Sequence, residues 1–160
     1  MEQFFSTISI KSAGQGFTDI TDEINKFIST NKFTDGILTL NLMHTSCSLT
    51  INENADPNVL YDLQKYIEAI VPYHSYHNLT KNRKEIHYKH FQEGEDDMPA
   101  HIKTSLTNSS LSISFQDEKL ALGVWQAIYL WEHRFGNKER LLNIHIIGDK
   151  RKNIYNKNNN

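Results

Sequence analysis

Three features of this sequence predict an α+β domain: layers of mixed, largely antiparallel sheet carrying two to three packed helices. Segments alternating apolar and polar residues cluster at both ends, helical periodicity is confined to the middle, and the final strands follow one another with no helix between them. That last feature disfavours a doubly wound α/β arrangement. At 160 residues the chain has the size of one domain, able to bury roughly two-thirds of its unfolded surface without staples. We expect that domain over residues 1–148, followed by a frayed Lys/Asn-rich tail at 149–160 with only Ile154 and Tyr155 to bury.

Phe4 to Lys11 alternates around Phe5, Ile8 and Ile10 and reads as the first strand, closed by a turn at Gly14-Gln15-Gly16. A helix follows, capped by Thr18 or Thr21, with Asp22 and Glu23 in the first turn where the dipole favours anions. Ile20, Ile24, Phe27 and Ile28 form its apolar stripe, and it ends near Thr30-Asn31. Gly36 opens a strand through Met43 in which Leu38, Leu40 and Leu42 share a face, placing His44 at a strand end. Asp56-Pro57 is a cap followed by a first-turn proline, and Val59, Leu60, Leu63, Tyr66, Ile67 and Ile70 give the next helix a buried stripe. Residues 72–94 hold four of the eight histidines and no convincing period, so they read as a long loop. A short helix from Pro99 to about Leu106 precedes strands at Ser110–Phe115, Lys119–Leu122, Val124–Glu132 and Arg140–Ile147.

Composition narrows the function. A formal charge of -2 offers no electrostatic case for nucleic acid, and no apolar run approaches the length needed to cross a bilayer. Neither a nucleic acid nor a membrane is expected as a partner. The first residues lack a basic region followed by an apolar one, and the single Cys47 cannot make an internal disulfide, so a cytoplasmic location is expected. No GxGxxG or GxxxxGK[ST] loop occurs.

The candidate chemistry begins at Asp96-Asp97-Met98-Pro99-Ala100-His101. Pro99 suits the first helical position with Asp97 as a cap, and a helical turn would set Asp97 and His101 on one face. A carboxylate beside an imidazole orients the ring and raises its basicity, as a metal ligand or a general base requires. His44-Thr45-Ser46-Cys47-Ser48 offers an imidazole, small hydroxyls and backbone N–H groups for a phosphate, although on this segment alone a polar turn between two strands is the simpler reading. Cys47 reads as a buried inert thiol rather than a nucleophile activated by His44. Asn52-Glu53-Asn54-Ala55-Asp56 would suit Mg²⁺ or a polar ring, with Glu53 and Asn54 left free once Asp56 caps the helix. His44, His90 and His101, with His87 a further candidate, could assemble a Zn²⁺-type site; His74 and His77 read as solvated, and His133 and His145 as sheet surface. On the strand from Val124 to Glu132, Gln126 and Glu132 interrupt an apolar face and need partners or a ligand. Arg134 at its end can pair with nearby acids or hold a phosphate bidentately.

Together, His44-Thr45-Ser46-Cys47-Ser48-Leu49, Asn52-Glu53-Asn54-Ala55-Asp56-Pro57, Asp96-Asp97-Met98-Pro99-Ala100-His101-Ile102-Lys103 and Leu120-Ala121-Leu122-Gly123-Val124-Trp125-Gln126 through Glu132-His133-Arg134 resemble the YjbQ family, often labelled secondary thiamine-phosphate synthase. The family usually has Thr where Val124 stands and often Ala where Cys47 stands. The resemblance implies a homotrimer with a polar site near subunit contacts. It also implies an enzyme that joins hydroxymethylpyrimidine pyrophosphate to thiazole phosphate and releases pyrophosphate. On that chemistry Mg²⁺ lies near Glu53 and Asp97, while Arg134, His44 and the Thr45-Ser46 backbone take the pyrophosphate. His101 is then a metal ligand or acid. The alternatives are a metal-dependent hydrolase of a small phosphorylated or cyclic metabolite, built on His44, His90 and His101, and a non-catalytic protein that binds a phosphorylated heterocycle.

Overall fold

The computed structural model describes residues 1–78 and 82–151. Its two main sheets face each other. The larger has strand order β1-β10-β3-β7-β8, formed by β1 (Glu2–Ser12), β3 (Phe33–Leu42), β7 (Ser110–Gln116), β8 (Lys119–Leu120) and β10 (Lys138–Lys150). The smaller has order β2-β9-β4, from β2 (Gly16–Asp19), β4 (Cys47–Glu53) and β9 (Gln126–Glu132). Every strand pair in both is antiparallel. The predicted class is the observed one, with three helices: α1 (Thr21–Thr30), α2 (Pro57–Ile70) and α3 (Asp97–Leu106).

The core lies between the sheets because alternation turns one face of each strand inward. Leu38, Leu40 and Leu42 of β3 and Leu142, Ile144 and Ile146 of β10 meet Leu49, Ile128 and Leu130 of the smaller sheet, and Ile24 and Ile28 of α1 close the end. On the other face of the smaller sheet, Trp131 packs against Ile67 and Val71, with Leu63 and Ile102 beside them. The smaller sheet is therefore covered on both faces, which is why β9 is buried from Ala127 to Glu132 instead of alternating. Gly36 and Gly148 are cross-strand partners, and a Cβ on Gly36 would lie 2.3 Å from the Ile147 carbonyl oxygen, so only glycine lets the strands close there.

Several expectations need correction. The stretch after the first turn adds a short strand, β2, before α1 begins, because Phe17 is needed against Trp131 and pairs with it across β9. Neither Thr18 nor Thr21 caps α1: the Asp19 carboxylate accepts from the Thr21 N–H, and the Thr21 hydroxyl accepts from the Ile128 N–H, tying the helix to β9. Asp56 and Pro57 do start α2 as expected, the Asp56 carboxylate accepting from Asn58 N–H at 2.8 Å. Of its apolar stripe, however, only Ile67 is fully buried, while Tyr66 and Ile70 face out, since α2 touches the sheet along a narrow line. The long loop contains a hairpin of β5 (Ser75–His77) and β6 (Glu85–His87). β8 stops at Leu120, Val124 and Trp125 sit in a turn ahead of β9, and α3 begins at Asp97, two residues early. Pro99 is tolerated there because first-turn N–H groups lack helical partners anyway. Asp149 and Lys150 extend β10 rather than fraying, with Arg151 N–H donating to the Lys32 carbonyl; the tail from 152 to 160 lies outside the described residues.

Candidate functional site

The site forms where the chain leaving β9 meets the start of α3. Glu132 ends β9 and Arg134 follows it, reaching back to the acidic turn before the helix. The Arg134 Nε donates to Asp96 Oδ2 at 3.0 Å, Nη1 to Asp97 Oδ1, and Nη2 to the Glu93 carbonyl at 2.7 Å. The Phe135 N–H donates to Asp96 as well, at 2.6 Å. Gly94 makes the turn possible: its φ is +117°, and a Cβ there would stand 3.0 Å from Asp96 Oδ1.

On this clamp stand two histidines. His101 lies one turn along α3 from Asp97, as the spacing predicts, with Nε2 3.7 Å from Asp97 Oδ1. Its Nδ1 is 2.9 Å from the Thr45 carbonyl oxygen, which can only accept, so Nδ1 carries the proton and Nε2 presents a bare lone pair. His90 comes from the loop ahead of the acidic turn, its Nε2 2.6 Å from Asp97 Oδ2. The two rings are 5.5 Å apart. One ligand atom from each of His90, Asp97 and His101 falls within 4.8 Å of the others. Asp97 is only 2% exposed whereas His90 is half exposed and His101 a third, so the carboxylate forms a buried floor and the rings its open mouth.

The donor set answers whether a cation fits. Two imidazoles and a carboxylate with their ligand atoms gathered together, His101 oriented by the Thr45 carbonyl and Asp97 by Arg134, match a borderline divalent ion such as Zn²⁺ better than Mg²⁺, which prefers oxygens. Among the described residues this is the one such group, and Asp97 stands in it where sequence reasoning expected His44. His44 is exposed, and its Nδ1 lies 3.1 Å from the Ser46 hydroxyl.

Other expected site residues have different employment. Glu132 is fully buried, so it must be neutralised internally rather than by a substrate. Arg140 grips it with two bonds of 2.7 Å, and Ser12 and the N–H groups of His133 and Arg134 complete its shell. Burial works to raise the Glu132 carboxyl, but those bonds, the Arg140 one foremost, hold it below the usual carboxylate range. Ser46 is buried and accepts from Arg140 at 3.2 Å, while Thr45 serves through its carbonyl. Arg134, spent on two carboxylates, positions Asp97 and is not free to fork a phosphate. Glu53 is paired with Gln126 at one end of the β4–β9 ladder, and Cys47 with Glu132 at the other. At about 3.3 Å per residue that separates Glu53 from the histidine end by roughly 20 Å. Asn54 and Gln126 belong to the Glu53 end: the Asn54 N–H donates to the Trp125 carbonyl, and Gln126 accepts from the Gly123 N–H. Within one chain these three and the triad cannot share an ion.

His133, expected on the sheet surface, is fully buried with Nε2 2.8 Å from the Ser48 hydroxyl, because the chain turns inward under Trp131 after β9. Burial foremost holds its pKa down to about 3, so it is neutral at pH 7. Cys47 is buried and its thiol is pushed up to about 12, also by burial, which agrees with an inert thiol. Asp96 was missed as a site residue; its one sequence signal was the tandem acid pair, which capping alone does not require.

The sequence profile of the UPF0047 protein YjbQ-like family matches residues 6–149. The UPF0047 protein YjbQ of Salmonella typhimurium is 41% identical over 129 residues, covering 80% of this chain and 86% of that one. The protein of the same name from Escherichia coli O157:H7 is 37% identical over 138 residues, covering 85% and 92%. A crystal structure of a yjbq/upf0047 family protein from Clostridium acetobutylicum superposes with a TM-score of 0.72 at 34% identity, covering 89% of this chain and 99% of that one. With all three helices, the motif-bearing residues and all but the outer ends of the first and last strands in the matched span, this chain belongs to the YjbQ (UPF0047) family.

Proposed function

We propose that this protein is a metal-dependent enzyme acting on a small phosphorylated substrate, with its cation held by His90, Asp97 and His101. The convergence of those three ligand atoms within 4.8 Å carries the reading. A divalent ion there supplies Lewis acidity toward a phosphoryl oxygen or a water. The chain's own residues supply the geometry. Arg134 holds the Asp97 carboxylate in place, and Thr45 fixes the His101 tautomer. The half-exposed His90 ring and the third-exposed His101 ring admit substrate from solvent over an almost fully buried carboxylate.

The nitrogen-rich donor set favours hydrolysis of a phosphorylated or cyclic metabolite. Condensation of hydroxymethylpyrimidine pyrophosphate with thiazole phosphate is the second reading. On that reading, Arg134 and Arg140 are both engaged with carboxylates, so the charge on a departing pyrophosphate would fall to a cation at the triad rather than to the arginines. A homotrimer belongs to the same proposal. The exposed Phe5, Ile37 and Leu141 on the outer face of the larger sheet, and Val124 and Trp125, are apolar surface it would cover.

The test is metal content and turnover of wild type against Asp97→Ala, after chelation and reloading with Zn²⁺, Mn²⁺ or Mg²⁺. We expect one ion per chain in wild type, its loss in the variant, and loss of turnover with it. Thiamine-phosphate formation in the loaded wild type selects the synthase; phosphate release from simple esters selects the hydrolase. Equal metal content in both proteins overturns the reading, and metal binding without either turnover points to a ligand-binding protein.

A further inference from the structure

Lys103 of α3 is fully buried, and among the described residues its Nζ has no hydrogen-bond partner. A lysine is almost never buried to that extent unless it is paired, because an unmatched charge in the interior is costly. The two carboxylates whose charge reaches it are engaged elsewhere. Glu68 accepts from Lys65 and from Gln64, both at 2.7 Å, and Asp96 accepts from the Arg134 Nε and the Phe135 N–H. His133 poses the same problem beside it, fully buried with Nδ1 unpartnered. We infer that Lys103 Nζ and His133 Nδ1 together hold a small monovalent anion of the chloride class, buried between α3 and the chain that leaves β9. This site does not depend on the metal reading.

Three observations carry it. First, the two groups share one neighbourhood. The Lys103 ammonium lies 5.2 Å from the centre of the Tyr73 ring, the Tyr73 hydroxyl donates to Gln15, and the Gln15 amide donates to the His133 carbonyl at 2.7 Å. The Lys103 charge also bears on the His133 imidazole more strongly than that of Glu132, the adjacent residue. Second, both groups can donate. An ammonium has no acceptor, and with the Ser48 hydroxyl donating to His133 Nε2 at 2.8 Å, the ring proton sits on Nδ1. Third, charge and burial select the occupant. Lys103 and Arg140 act on this ring against the single carboxylate Glu132, so the potential there attracts an anion and repels a cation. The Tyr73 ring attracts the ammonium through its face but does not neutralise it. A water would satisfy the hydrogen bonds and leave the charge uncompensated. Full burial of both side chains admits an ion of atomic size and excludes a phosphate ester.

The experiment compares thermal unfolding of the chelator-treated full chain in sodium chloride and in sodium gluconate at equal ionic strength, for wild type and Lys103→Met. Chelation removes any metal that would itself take chloride, and Met keeps the reach of the side chain without its charge. We expect chloride to stabilise wild type saturably, with Tm higher by about 2–4 °C at about five times the Kd, and to give Lys103→Met no chloride-specific gain. In wild-type crystals soaked in sodium bromide, the anomalous peak should stand within hydrogen-bond reach of both Lys103 Nζ and His133 Nδ1, a result that decides the matter even where the variant fails to fold. Equal chloride gains in the two proteins, an ordered water in place of bromide, or bromide confined to the surface as an adventitious ion only overturns the site.

Discussion

Two arginine–carboxylate constellations lie a few residues apart in this molecule, and their difference separates architecture from function. Around Glu132, every carboxylate bond is answered from within the protein: Arg140, Ser12 and two backbone N–H groups surround it, and no part reaches solvent. Around Asp97, Arg134 bonds Oδ1, His101 stands 3.7 Å from that same oxygen and His90 meets Oδ2, the two partly exposed imidazoles lying close enough to share one ion with the carboxylate. A saturated buried pair holds the ends of β9 and β10 together; a buried carboxylate beneath two partly exposed imidazoles, one with a bare Nε2, is poised to bind something. Sequence reading treated Glu132 and Arg134 as equals, because both are polar residues at the end of an apolar strand.

Cutting the sealed pair should have the largest effect on folding. Arg140→Ala strands the buried Glu132 carboxylate, and we expect about 3–5 kcal/mol of lost stability in urea unfolding; a loss below about 1 kcal/mol would erase the distinction. Arg134→Lys keeps a charge near Asp97 but cannot fork across both aspartates. Zn²⁺ affinity measured by calorimetry should drop about 10–100-fold, the usual consequence of losing an outer contact to a ligand, and an unchanged affinity would make Arg134 a purely structural clamp.

The pH dependence sharpens the contrast. His133 titrates near 3 in the folded protein against 6.5 ordinarily, so between those values the unfolded chain binds a proton that the folded one refuses. Its contribution is fully present above pH 6.5 and is lost as pH falls toward 3. His133→Gln should flatten the stability–pH slope between pH 6 and 4 by up to about 1.4 kcal/mol per pH unit. Glu132 adds to acid sensitivity lower down: its depressed folded pKa means stability present above the ordinary 4.5 and lost as pH falls through the folded value. The smallest effect concerns Cys47. At pH 8 the native protein should leave a thiol reagent unconsumed, and denaturant should release one equivalent; rapid native labelling would contradict its burial.

Much of the fold was legible because it rests on local periodicity. Leu38, Leu40 and Leu42 announced both a strand and its inward face, and Asp56-Pro57 announced α2. β2 was illegible: four residues between a turn and a helix carry too little pattern, and Phe17 has its partner more than a hundred residues away. In the site, Asp97 and His101 were readable as one helix face, since both lie on a single element. His90 came with the wrong companion, His44, since the loop that brings it to Asp97 has no period from which to infer direction.

The sequence by itself determined the class of fold, the seat of the acidic turn and the pairing of Asp97 with His101, all consequences of spacing along one element. Tertiary structure alone decided that Arg134 closes on Asp96 and Asp97, that Arg140 claims Glu132, and that Glu53 stands at the far end of the ladder from the histidines. Those outcomes follow from which strands pair and in what register. A carboxylate's partner is chosen by where burial leaves it, and burial is a property of the whole packed chain.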